Sequence, residues 1–490
     1  NKVQISIIMT SKIKVDNIEN QCGGAVVTKC GGTTTISGTV VKADDIQASD
    51  GGNIINQCGA TITLGANDDT VVLGTGAAFG GGVGAVKWET TPQTGSFGAV
   101  TGRGYFMNTT SGPLTLTLPA SPSAGDIVAV SDYAGTADTN NITIGRNSSN
   151  INGAASDQII SKANSAVTLV YVDGTQGWKA TDTSSLSDIE LQPTYVTATG
   201  GTVTCCGDYK IHTFTGPGTF TVCSVGNPAG SDTVDSLIVA GGAGGGGNLA
   251  GGGGSGGVVL IASCNATALT VTSYPIVIGG GGAGQPSNGT GTSGSNSTGL
   301  SLTSIGGGGG GPATCGTAGT PGGSGGGASG GSSPNITNGG TGTQPTQPGN
   351  SGTYGFGSNG GNRTPTGSAA NGGGAGGGGG GAVGSNQPGS GPGGPGGAGK
   401  DATPIFGASP KPFYGPTNGV YAGGGGGGAN PGPGGSGGTG GGGKGGDTAP
   451  GPVSSTGLVN TGGGGGGGQG GSGPGAAGGS GIVIIRYKFQ

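Results

Sequence analysis

Few side chains in this sequence have the type and spacing to do chemistry. His212 is the only histidine, and it sits between Ile211 and Thr213 in a stretch that alternates as a strand. A serine triad or a histidine-based metal site needs further partners that the chain does not supply, so His212 reads as structural. Asp44-Asp45 and Asp68-Asp69 are adjacent pairs, and neighbouring residues of a strand face opposite ways, so they read as turn and solvent residues rather than the paired carboxylates of a glycosidase. The cysteines, at 22, 30, 58, 205, 206, 223, 264 and 315, include no C-x-x-C pair of the zinc type. They read as small buried thiols, with one disulfide among Cys205, Cys206, Cys223 and Cys264 as the alternative. Glycine runs imitate phosphate loops, but no strand-to-helix unit follows them and Lys444 has no Ser or Thr after it. A non-enzymatic protein without a cofactor or metal is expected.

The elements that would position any site are dominated by glycine. Of 132 glycines, 33 lie in residues 1–240 and 99 in residues 241–490, an abrupt change that marks a boundary. Collagen is excluded because the runs at 306–311, 376–381, 423–428 and 462–468 break the Gly-X-Y rule. Disorder is opposed by strand-like stretches on both sides, among them Val234 to Ala240, Val258 to Ile261 and the closing Ile482 to Phe489. The remaining option is a stack of extended polyglycine II helices, three residues per turn, whose N–H and C=O groups must pair between neighbours. Only chains without side chains approach that closely, so Gly309→Val is expected to damage folding.

Hydrophobic residues make up 30% of the chain and aromatic ones 4%, too few for one large aliphatic core. Only Glu19, Glu89 and Glu190 are glutamates and other helix formers are scarce, which points to an all-β chain. Seventeen basic residues stand against 21 acidic ones with no basic cluster, so nucleic acid is not an expected partner. No apolar run of about 18 residues occurs, so membrane insertion is not expected either. Met9 reads as an ordinary start, with residues 1–8 as an extension.

Residues 1–78 repeat a small unit, Cys-Gly followed by a Thr/Ile alternation and Gly, as in Cys30 to Gly38 and Cys58 to Gly65. Such units bury no face alone, and a slender fibrous β-shaft of three intertwined chains is expected. A glycine hinge at 79–84 leads to a small β-sandwich or jelly roll over 85–182, with clean alternation in Leu114-Thr-Leu-Thr-Leu118 and Val167-Thr-Leu-Val-Tyr-Val172. Residues 183–200 read as a polar linker, and 201–490 as a β-framed stack of polyglycine II helices. Within the stack, Tyr354, Phe356, Arg363, Lys400, Phe406, Lys411, Phe413, Tyr414 and Tyr421 gather most of the aromatic and charged side chains. They either pack locally under a loop or form the exposed tip of a rigid stalk, where aromatics stack on sugars or apolar surface.

Met9-Thr-Ser-Lys-Ile-Lys-Val-Asp-Asn17, Cys58-Gly-Ala-Thr-Ile-Thr-Leu-Gly65, Gly104-Tyr-Phe-Met-Asn-Thr-Thr-Ser-Gly112 and Thr168-Leu-Val-Tyr-Val-Asp-Gly-Thr-Gln-Gly-Trp178 resemble tail-fibre-like structural proteins of marine phages, notably those infecting cyanobacteria. His212-Thr-Phe-Thr-Gly216, Leu237-Ile-Val-Ala-Gly-Gly242 and Gly481-Ile-Val-Ile-Ile-Arg486-Tyr are similar to glycine-rich terminal domains of such fibres. In architecture the half also resembles the polyglycine-helix adhesins of some T-even-like phages. These resemblances imply a virion location, a homotrimer, tail, baseplate or fibre partners at the N-terminus, and recognition of a host surface glycan or outer-membrane protein through loops joining the helices. The other classes are a secreted structural or ice-binding protein, which would need a Thr- or Ala-lined face, and a tailspike depolymerase, which lacks its carboxylate pair.

Overall fold

The computed structural model describes residues 17–19, 25–30 and 33–36, and then 86–490 apart from 184–189, 263–265, 313–316, 332–336, 345–354, 365–371, 388, 390 and 449. The chain divides into two units, Asn1–Gly82 and Val83–Gln490. The fold is nearly all β, and its α-helix among the described residues is the single turn Thr403–Phe406. No helix among them is long and apolar enough to cross a membrane.

In the first unit, Asn17–Glu19, Ala25–Cys30 and Thr33–Ile36 form an antiparallel sheet in that order. Thr33–Ile36 is the Thr/Ile alternation that follows Cys30-Gly31 in that repeat pattern. The repeat at 58–65 lies outside the described residues.

From residue 87 the chain passes back and forth between two five-stranded sheets. Lys87–Gln93, Arg103–Met107 and Ile127–Asp132 stack parallel in one, while the alternating Phe97–Gly98, Leu114–Thr117 and Ile142–Gly145 stack parallel in the other. Each strand in one sheet thus serves as the crossover that parallel neighbours in the other require. Antiparallel strands finish both sheets, Gln158–Ile160 on one and Ala166–Asp173 with Gly177–Thr183 on the other. The sheets share a core that includes Met107, Leu116, Ile144, Leu169 and Trp178. It is a two-layer sandwich, but its parallel pairing is not that of a jelly roll, which is built from antiparallel Greek keys.

The polar stretch expected to be a free linker is tied down where it is described. Glu190–Leu191 pairs with Gln158–Ile160, and Thr197–Thr199 pairs with Gly218–Ser224. The Asn227 amide joins them, donating to the Gln192 carbonyl at 2.7 Å and accepting from the Thr194 N–H at 3.2 Å. Polar composition did not signal these pairings because they are backbone bonds.

The glycine-rich half hangs on one sheet, in the order Thr202–Cys206, Tyr209–Phe214, Ile482–Lys488, Thr233–Val239, Val258–Ile261, Gly355–Phe356. The C-terminal strand is therefore central, clamped between strands from the start of the domain. Its unbroken Ile-Val-Ile-Ile run suits burial on both faces. On one face Phe220, Val222 and Ile276, from a three-stranded sheet, pack on Ile238, Val483 and Ile485. The other face is covered by residues 402–422.

His212 belongs to the first of these cores. Its Nδ1 lies 2.7 Å from the Gly200 carbonyl and its Nε2 3.1 Å from the Tyr487 hydroxyl, which pins residues 198–200 to the sheet. Burial pushes its pKa below the ordinary 6.5, with nearby Lys210 acting in the same direction against the Gly200 bond. The folded state then binds a proton more weakly than the unfolded state, so the contribution is full above pH 6.5 and is lost as pH falls below it. Thermal melts should show lower stability at pH 5 than at pH 7.5, and this component of the dependence should vanish in His212→Gln.

Where the sheet strands end, their backbones continue as extended glycine segments whose hydrogen bonds rotate among neighbours. Gly241, Gly244 and Gly247 donate to Ser295, Thr292 and Gly289; Gly242, Gly245 and Asn248 donate to Gly479, Ala476 and Gly473; Ala240, Ala243 and Gly246 donate to Gly257, Gly254 and Gly251. Every third N–H meets the same neighbour, the periodicity of a chain with three residues per turn. Segment 250–257 is surrounded by six others: it donates to 462–468, 305–311 and 375–378, and accepts from 240–246, 324–327 and 425–428. Small residues fill the remaining space, as where Ser255 donates to the Ser324 hydroxyl at 2.9 Å.

Candidate functional site

Of the nine residues that the sequence groups together, the structure gathers seven in or beside one cluster, sets Arg363 apart and leaves Tyr354 outside the described residues. Phe406 and Phe413 are 3% and 4% exposed, and Tyr414 and Tyr421 are fully buried. They pack on Leu237, Val239, Val258, Leu260, Ile482 and Ile484, so they form a core under a loop rather than an exposed tip. The physical reason is the sheet itself, whose second apolar face requires a cover that glycine segments have no side chains to provide. Tyr421 donates to the Tyr414 carbonyl at 2.9 Å, and Tyr414 to the Gly407 carbonyl. Burial pushes the Tyr414 hydroxyl up to about 12, and the Tyr421 hydroxyl is raised as well.

At the edge of this cluster the Lys400 ammonium lies 3.9 Å from the centre of the half-buried Phe356 ring, and Lys411 Nζ lies 3.4 Å from Cys206 Sγ. Arg486 stacks over Phe406 at 5.2 Å and Tyr209 at 4.3 Å while its Nε donates to Asp235 at 3.0 Å. Cys205, Cys206 and Cys223 are free thiols, and Cys205 and Cys223 are exposed, unlike the buried thiols or disulfide expected of them. Arg363 is fully buried and belongs to the other end of the slab, bonded through its backbone to Thr337. Tyr354 lies outside the described residues.

That other end carries several of the connections between segments. The strands Thr233–Val239 and Val258–Ile261 lead into and out of the pair that turns at Asn248 and Leu249, so this turn lies at the end remote from the sheet. The same register brings the turns near Pro286, Gly391, Asn430, Asp447 and Ser472 to that end. Asn248 Nδ2 donates to Asn288 Oδ1 at 2.7 Å, Gly391 bridges to Asn430, and the Thr448 N–H donates to the Gly432 carbonyl at 3.1 Å.

On the flank leading to this end, three neighbouring outer segments form an open groove of about 360 Å³, lined by Asn338, Thr341, Asn359, Asn362, Val383 and Asn386 with intervening glycines. An outer segment lacks a backbone partner on one side, and asparagine supplies it. Asn359 Oδ1 accepts from the Gly342 N–H, Asn362 Oδ1 from the Gly339 N–H and Asn386 Oδ1 from the Asn362 N–H, each at 2.8 Å. Sequence reasoning passed over these residues. The signal was Asn359-Gly-Gly-Asn362, a spacing of three that puts both side chains on one edge of a three-residue turn.

Fold and composition together define a glycine-rich, nearly all-β protein. The chain belongs to the glycine-rich domain family, which it matches over residues 213–488. No curated protein matches the chain significantly.

Proposed function

We propose that the protein is a phage tail fibre that attaches to a host cell through its glycine-rich half, built as a slab of polyglycine II helices. In this reading the N-terminal repeats trimerise and join other tail, baseplate or fibre proteins on the virion, and the sandwich spaces the slab from them. The slab then presents its turns, outside the cell, to a surface glycan or outer-membrane protein. The observation that carries the reading is the gathering of the turns near Asn248, Pro286, Asn430, Asp447 and Ser472 at the end remote from the sheet. Binding residues are disproportionately found on loops held by a rigid scaffold. The resemblance of the N-terminal and sandwich segments to marine phage fibres supports the same reading, whereas the buried Phe406, Phe413, Tyr414 and Tyr421 are assigned to the core and not to the contact.

The purified full chain should sediment as three copies of the 45.2 kDa polypeptide. It should also bind cyanobacterial host cells and compete with adsorption of the phage that carries it. A folded chain that leaves adsorption unchanged at saturating concentration would refute the attachment role.

A further inference from the structure

We propose that the groove lined by Asn338, Thr341, Asn359, Asn362, Val383 and Asn386 binds a neutral saccharide chain, whose oxygens accept from the asparagine Nδ2–H groups. This rests on the attachment reading and names its ligand class. The oxygens of Asn359, Asn362 and Asn386 are held by backbone N–H groups, so each amide plane is fixed. Among the described residues their Nδ2 atoms donate to nothing, which leaves a row of pre-oriented donors. Asn359 and Asn362 repeat about 9 Å apart at a rise of about 3.1 Å per residue, as do Asn338 and Thr341, and Val383 and Asn386.

The chemistry of this array selects its ligand. Its donors are neutral, and no charged side chain lines the groove among the described residues, which argues against a phosphate or carboxylate as the main determinant. Val383, 64% exposed, offers an apolar surface for the C–H face of a sugar ring. The repeat along the segments suits a polymer with regularly spaced hydroxyls, and rigid donors lose little entropy on binding.

Asn359→Asp with Asn362→Asp is the informative variant, because the carboxylate still accepts from Gly342 and Gly339 while both amide donors disappear. Val383→Arg blocks the groove from an exposed position and guards against misfolding of the first variant. The full chain and both variants would be tested on arrayed neutral hexose and acetamido-hexose oligosaccharides and on neutral host polysaccharide. The wild type should bind at least one of these, and each variant, with an unchanged melting profile, should bind at least tenfold more weakly. Absence of wild-type binding, equal binding by Val383→Arg, or thermal hysteresis of ice growth in place of saccharide binding would overturn the assignment. If the chain blocks adsorption but binds no saccharide, the groove falls and attachment stands. If it binds saccharide in a variant-sensitive way without affecting adsorption, the groove stands and attachment falls.

Discussion

Gly253→Ala should abolish folding of the glycine-rich half, although the change adds one methyl group. A Cβ there would lie 2.2 Å from the Ala243 carbonyl oxygen and 2.8 Å from that of Gly244. Neither can retreat, because the surrounding backbones are hydrogen-bonded in turn: Gly253 donates to Gly465 at 2.8 Å and accepts from Gly425 at 2.9 Å. Making room means separating segments and leaving buried N–H and C=O groups unpaired, each costing about 1–3 kcal/mol. The total should exceed about 4 kcal/mol, the range where single substitutions unfold domains. Gly309→Val is equivalent, with a Cβ 1.7 Å from the Gly291 oxygen. Gly280→Ala is the control, since beyond its own chain neighbours no heavy atom lies within 4 Å of its added Cβ. It should be neutral or slightly stabilising, by up to about 1 kcal/mol, through the unfolded chain. Calorimetry of the three variants would decide; a normal melt for Gly253→Ala would mean that the segments are not packed in contact.

Tyr414→Ala should destabilise the sheet by about 3–5 kcal/mol, the usual cost of removing a large buried aromatic side chain. Tyr414 is fully buried, packs against Phe413 with ring centres 4.7 Å apart, and secures its loop through the bond to Gly407. Tyr421→Phe removes only the hydroxyl that donates to the Tyr414 carbonyl and should cost about 1 kcal/mol. A graded loss, large for the first and small for the second, is the pattern of a core. Any drop in host adsorption by Tyr414→Ala should then follow the unfolded fraction. Undiminished stability with lost adsorption would instead return this cluster to the contact surface.

Much of the architecture was legible in the residues. The scarcity of helix formers implied β-structure, and the apolar closing stretch Ile482–Lys488 implied a strand completing a domain. The alternation of Leu114–Thr117 and Ala166–Asp173 marked a sandwich, because the strand period of two survives whatever the partner strand is. Parallel against antiparallel pairing leaves no such local trace, and so the winding of the chain between two sheets was not legible.

The candidate site divides the same way. Composition together with the strand-like stretches on both sides indicated that the C-terminal half satisfies its backbone between segments, since ordered chains with so few side chains have no other means of cohesion. Whether Phe406, Phe413, Tyr414 and Tyr421 face water or a core depended on a sheet assembled from residues far away in sequence, and only the tertiary structure decided that they cover it. It also decided which glycine segments are outermost. That placement is what turns Asn359 and Asn362 from two polar residues in a glycine run into fixed amides at an edge, because a backbone N–H lacks a partner only where no further segment packs beside it.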